Sequence, residues 1–321
     1  MTTYHLHGLL VDSDVALHAP VADCPGAAEV SIRRVEDLVL PTTDAGRTLF
    51  ERDVDGQAWH RVISLAGAAW VSFAEVATFR IGTGNDSIEY VWHNAEPGLG
   101  PILLEGYVLA LLLTLRGRCV LHASAVALVD GRALAIVGPS GSGKSTLSLL
   151  LAARGRPHLA DDVVSVDLSV PGLPKISSGS RSIRLREKAW GLQTSLPDAL
   201  ASHSFDQRLV LEDKSAAAGD FELAALWLPR PDIRVAAVEI ERVAPGDAFQ
   251  HLLPNFRVEL NDAPHRRRSF ENAVDIARSV PMYVARVPWG PPWKEASFAA
   301  LAKAANDICV PMKANEPDSD A

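Results

Sequence analysis

The segment Gly138-Pro139-Ser140-Gly141-Ser142-Gly143-Lys144-Ser145-Thr146 constrains this chain more than any other stretch. It fits the phosphate-binding pattern G-x-x-x-x-G-K-[ST]. Glycines let consecutive backbone N–H groups close around a polyphosphate. Lys144 brings a point charge to β- and γ-phosphates, and the Ser145 hydroxyl can ligate Mg²⁺. The flanks agree with the motif. Residues 132–137 are apolar and strand-like, residues 146–154 are strong helix formers, and Gly155 stands where a glycine would end that helix. A strand, a glycine loop and a helix N-terminus in that order set an anion on the helix dipole. The expectation is a site for ATP, with GTP open, bound by residues 138–146.

Composition narrows the class. A length of 321 residues suggests two domains, and 48% apolar residues suffice for a sizeable core. The net charge of −8 argues against a nucleic-acid partner, which would need a basic face. Cys24, Cys119 and Cys309 are few, odd in number and far apart, so they read as reduced thiols of a cytoplasmic protein. The N-terminus has neither the basic nor the apolar region of a signal peptide. The most apolar run, 107–115, is flanked by Glu105 and Arg116 and is too short to cross a bilayer, so no membrane association is expected.

Organisation changes near Pro97-Gly98-Leu99-Gly100-Pro101. Residues 1–96 read as a smaller β-rich domain, with strands at 4–10, 28–35, 59–64, 76–81 and 87–92, the last two joined by a loop at 82–86. Residues 97–315 read as an α/β domain with a P-loop-containing mixed sheet flanked by helices, and 316–321 as a frayed tail. Its expected elements are a helix at 102–116, strands at 118–129, 158–168, 234–243 and 282–287, and helices at 263–278 and 294–308. His5, His7 and His18 lack metal-ligand spacing and read as scattered histidines.

Two further features carry chemistry. Asp130-Gly131 between apolar runs predicts a two-residue hairpin, which sets His122 opposite Pro139 at the mouth of the loop. A structural histidine at a strand end is the plainer alternative. Asp161-Asp162 follows Lys144 by seventeen residues and opens the next strand. With the P-loop helix as crossover, that strand returns beside the first and carries both carboxylates toward the phosphates. Neighbouring strand residues point to opposite faces, so one can hold Mg²⁺ while the other accepts a hydroxyl proton. Solvated capping is the alternative. Lys214 and Arg230 could serve a lid over the phosphates, and Arg266 to Arg268 could dock an acidic partner, although exposed basic residues are commonly only solvated.

The run from His122 through Val126, the loop at 138–145, Arg154-Gly155 and Leu159-Ala160-Asp161-Asp162-Val163 resembles the catalytic core of HPr kinase/phosphorylase. The chain is most similar to the stand-alone HPr-kinase-related proteins, some of which accompany lasso peptide biosynthesis. The resemblance is clear over 101–190 and weaker to about 310. It implies that Asp161 is the base acting on a serine hydroxyl, that His122 orients it, and that Asp162 and Ser145 bind Mg²⁺, with Lys144 on the phosphates. Glu187 is a looser counterpart of a further metal ligand; an exposed helical glutamate is the other reading. Thr146 stands where those kinases usually have Glu, and the β-rich N-terminal region is unlike theirs.

The expected activity is therefore ATP-dependent phosphorylation of a serine in a protein or peptide, an HPr-like carrier or a ribosomal-peptide precursor. A transport-type ATPase is disfavoured because no Leu-Ser-Gly-Gly-Gln-like segment comes after the loop. A nucleotide-sensing or peptide-binding module and a small-molecule hydroxyl kinase remain alternatives. A homo-oligomer is left open.

Overall fold

The structure, a computed structural model, describes residues 1–23, 26–94, 98–290 and 294–308. Cys24, Pro97, Cys309 and the tail at 316–321 lie outside the described residues. The fold is mixed α/β, with several sheets and flanking helices.

Period-two burial along the N-terminal third makes strands. These are β1 (Thr2–Leu6), β2 (Leu9–Ser13), β3 (Val30–Arg34), β4 (Arg47–Val54), β5 (Gln57–Leu65), β6 (Ala68–Phe73), β7 (Ala77–Ile81) and β8 (Ser87–Trp92). They form one eight-stranded sheet in the order β1-β2-β3-β8-β7-β6-β5-β4. The strand expected over 4–10 is cut in two, because His7 and Gly8 both take positive φ and turn β1 into β2.

A helix then covers the sheet. It is α-helical over Gly100–Leu103, winds as a π-helix over Leu104–Val108 and returns to α over Leu109–Leu115. Leu104, Val108, Leu111 and Leu112 are fully buried and share one core with Val30, Ile32, Phe79 and Ile88 of the sheet. The sequence assigns this helix to the α/β domain, but its packing joins it to the N-terminal strands.

The second sheet contains β9 (Cys119–Leu121), β10 (Ala123–Ala127), β11 (Ala133–Val137), β12 (His158–Ala160), β13 (Val164–Asp167) and β14 (Lys175–Ser177). After these come β15 (Ser182–Leu185), β16 (Leu200–His203) and β17 (Leu209–Glu212), which make a separate sheet in the order β15-β17-β16. β18 (Asp220–Pro231), β19 (Glu239–Arg242) and β20 (Met282–Val287) complete the larger one. Its order is β12-β10-β11-β18-β14-β13-β9, with β20 paired to β18 and β19 to β20. β11 shows how both faces are covered. Ala133, Ala135 and Val137 join the core under the helices Pro245–Leu252 and Ala263–Ser279, while Leu134 and Ile136 join the core under the P-loop helix (Lys144–Ala152) and the helix Glu295–Asp307.

Four expectations change, and one is topological: β12 lies antiparallel beside β10 and not beside the P-loop strand β11. The strands expected over 118–129 and 158–168 are each broken in the middle, at His122 and at Asp161 to Val163. The strand expected over 234–243 shortens to β19, and the long β18 before it is one the sequence pattern does not announce. β18 contains Pro229 and Pro231, but it pairs with β11 only as far as Trp227, so these prolines leave no donor missing on that side. The P-loop helix ends as expected: Gly155 is left-handed at φ +76°, with Arg156 N donating to Leu151 O and Gly155 N to Ala152 O. Among the described residues, no helix is long and apolar enough to cross a membrane.

Two buried histidines tie stability to pH. His60 stacks on Phe73 at 4.3 Å and meets the edge of Tyr107, and burial, helped by Arg257 and Arg52, lowers its pKa to about 4. Burial, with Arg118, does the same to His7. The unfolded rings protonate near 6.5 while the folded ones stay neutral to about 4, so the unfolded chain binds more protons between these values. Stability is full above that window and falls through it on acidification, by up to roughly 3 kcal/mol per ring. His60→Phe should therefore shrink the drop in melting temperature between about pH 7 and about pH 4.5. An unchanged drop would assign the acid sensitivity elsewhere.

Candidate active site

The site forms where two antiparallel strand pairs part. Ala125 pairs with Ala160 on one side of the gap and Leu121 with Val164 on the other. Between these pairs, His122 to Ser124 face Asp161 to Val163, with Ser124 level with Asp161. The breaks have local causes. His122 N is turned away to Asn255 O at 2.8 Å. Asp162 adopts φ +69°, a left-handed conformation uncommon outside glycine and often found at functional sites.

The two carboxylates have different partners. Asp161 is buried and accepts from Ser145 Oγ at 2.9 Å, from the hydroxyl of Ser124 and from Arg184 N at 3.1 Å. Asp162 lies 3.0 Å from His122 Nε2 and 3.4 Å from an Arg257 nitrogen. Burial alone would raise the Asp162 pKa, but Arg257 and the His122 hydrogen bond outweigh it and hold the carboxyl well below the usual carboxylate range. The expected partnership is thus exchanged: His122 meets Asp162, not Asp161, and Ser145 meets Asp161, not Asp162.

The hairpin register differs from expectation as well. Leu128 N bonds to Arg132 O across a three-residue loop, with Gly131 left-handed at φ +81°, and Ala123 pairs with Val137. The extra loop residue moves His122 one place from Pro139, level with Gly138.

The glycine loop wraps the helix N-terminus. Gly141 and Gly143 take φ +84° and +98°. A Cβ on Gly143 would stand 2.5 Å from the Trp289 ring, so only glycine allows the indole to lie against the loop. Lys144 is buried, and burial lowers its pKa despite Asp161 and Asp162. Its ammonium donates to Gly138 O at 2.7 Å and Pro139 O at 3.1 Å. A groove of about 870 Å³ runs from the loop past Ser145, Thr146 and Asp162 to Trp289. Arg186 and Lys188, with Arg184 and Arg208 that share Asp206, give it a cationic wall, and Glu187 also lines it. Arg186 reaches Ser140 Oγ at 3.0 Å.

Ser145 and Asp161 offer adjacent hard oxygen donors, a fit for Mg²⁺, which is commonly held by one or two protein oxygens with phosphates and waters completing its shell. Among the described residues, no group of three or more His, Cys, Asp or Glu side chains could hold a metal ion. Lys214 and Arg230 do not line the groove. Arg266 and Arg267 are engaged locally, with Asn261 and Glu271.

Sequence reasoning missed Arg257, Ser124 and Arg184. Ser124 had a signal, sitting two residues from His122 and so on the same side of the chain. Arg257 had none. It is brought in because Arg257 N bonds to Val120 O at 2.9 Å, while Phe256 bridges to Leu121.

No protein-family model matches the chain, and no curated protein matches it. Among solved structures it is similar to the Hpr(Ser) kinase/phosphatase from Coxiella burnetii, with a TM-score of 0.30 and 11% identity over 59% of this chain and 93% of that one.

Proposed function

We propose that this chain is an ATP- and Mg²⁺-dependent kinase that phosphorylates a hydroxyl group, a serine of a protein or peptide. One observation carries the reading. Asp162, with Arg184, lines two cavities at once, the cationic groove along the glycine loop and a smaller cavity that Asp161 also lines. A phosphoryl donor in the first and a hydroxyl in the second would meet at this residue.

The contacts divide the roles. Backbone N–H groups of residues 138–146 and Lys144 bind the polyphosphate. Ser145 and Asp161 would hold Mg²⁺, which offsets charge between the β- and γ-phosphates. Glu187 also lines this groove and would add a further carboxylate beside the metal. Asp162 accepts a hydrogen bond from the acceptor hydroxyl and takes its proton as the new P–O bond forms, while the bond to the β–γ bridging oxygen breaks and ADP leaves. A carboxylate held this acidic is a weak base. It suffices because phosphoryl transfer passes through a loose transition state, in which orienting the nucleophile matters more than early deprotonation. His122 and Arg257 keep Asp162 ionised and aimed.

This division separates two substitutions that a simple acidic pair would not. Asp162→Asn should lower transfer to a seryl acceptor by roughly 10²–10⁴-fold while sparing nucleotide affinity. Asp161→Asn should chiefly raise the Mg²⁺ concentration needed for half-maximal activity, and Lys144→Ala should weaken nucleotide binding itself. Labelled-phosphate transfer with Mg²⁺ titration measures all three. Full transfer in Asp162→Asn would remove the proposed base. Tight ATP binding with no transfer to any hydroxyl would favour a nucleotide-sensing module.

A further inference from the structure

The smaller cavity, of about 260 Å³, is shared: the N-terminal part and its covering helix form one wall, and segments between Asp161 and Val210 form the rest. His7 comes from the turn between β1 and β2, His18 from the chain after β2, and Glu105 from the π-helical turn. The same turn carries Gly106, which packs beside Asp162: a Cβ there would lie 3.5 Å from Asp162 Oδ2, an ordinary contact distance. The core adds Ser180, Ser182, Arg184 and the exposed ring of Phe205.

Charge divides the two cavities. Among its described lining residues the small one has three carboxylates, Glu105, Asp161 and Asp162, and Arg184 as its lone Arg or Lys. That guanidinium is already held by both oxygens of Asp206 at 2.8 Å. Of the carboxylates, Asp162 has Arg257 and Asp161 is committed to Ser124 and Ser145. Glu105 is only 13% exposed and accepts from His18 N, His18 Nδ1 and Ser180 Oγ, with no Arg or Lys among these partners. The buried ring of His7 also lines the cavity, and its Nδ1 meets no hydrogen-bond partner.

We infer that this cavity is the acceptor subsite, that it takes one hydroxyl-bearing residue of a peptide with a basic side chain beside it, and that Glu105 reads the basic group. This rests on the kinase reading above. The volume suits such an occupant: at about 30 Å³ per water it has room for roughly nine waters, the scale of a side chain or two and far from a folded surface. The sign of the charge suits it too. Nucleotide phosphates are drawn to the cationic groove and repelled here, whereas a cation beside the seryl hydroxyl gains an acidic wall. The N-terminal sheet thereby acquires a task, since none of its strands lines the nucleotide groove.

The test uses two blocked tripeptides, Lys-Ser-Lys and Glu-Ser-Glu, at millimolar concentration on the full chain with histidine rings isotopically labelled for NMR. The lysine peptide should shift the His7 and His18 signals and the glutamate peptide should not. Glu105→Gln should weaken the lysine peptide at least tenfold, with an ATP titration reporting that the variant core is intact. Equal response to both peptides, no response at His7 and His18, or unchanged affinity in Glu105→Gln overturns the inference. Adding Mg²⁺ and ATP separates the two readings. Binding at these histidines without phosphorylation sinks the kinase reading and keeps the pocket; phosphorylation without these shifts sinks the pocket and keeps the kinase.

Discussion

The site depends on a gap in one antiparallel pairing. β10 with β12, whose pairing shifts register between Ala125 and Val126, and β9 with β13 hold the two flanks, and the three residues facing each other across the middle give up their ladder. Backbone groups freed from a ladder must find other partners. His122 N finds Asn255 O, and from outside the gap Arg184 N of β15 donates to the Asp161 carboxylate. Side chains at the gap then face one another instead of alternating strictly across a sheet. A pleated strand would separate Asp161 from Asp162; the left-handed turn at Asp162 gives each its own set of partners and keeps both at one place.

Electrostatics then sort what can approach. Lys144, Arg186, Lys188 and Arg208 line one side of Asp162, and Glu105 with Asp161 lines the other. Arg257 reaches Asp162 at 3.4 Å. It holds Asp162 ionised, and it also contributes to keeping His60 neutral in the N-terminal core. Burial raises the worth of each of these pairings and equally the cost of leaving one unmatched.

Much of this was legible in the sequence, for physical reasons that differ by element. The P-loop helix and its glycine stop depend on local chain chemistry, and β8 and β20 appear where their β-rich runs end. Three things depended on distant contacts and were not legible. A single left-handed residue, Gly131, makes a three-residue loop and shifts the neighbouring register by one. The assignment of His122 to Asp162 depends on φ at one aspartate. Arg257 arrives through backbone pairing of residues 255–257 with β9, which no motif encodes. The helix at 100–115 was recognisable, but only its packing showed that it completes the first sheet's core.

Neighbouring aspartates divide the labour of metal binding and proton acceptance in this reading, and metal substitution separates the two roles. Asp161→Cys and Asp162→Cys should both fail with Mg²⁺, which binds sulfur poorly, while thiophilic Cd²⁺ should restore nucleotide-linked metal binding to Asp161→Cys alone. Rescue of Asp162→Cys in its place would contradict the account, returning Asp162 to the metal and His122 to a structural role.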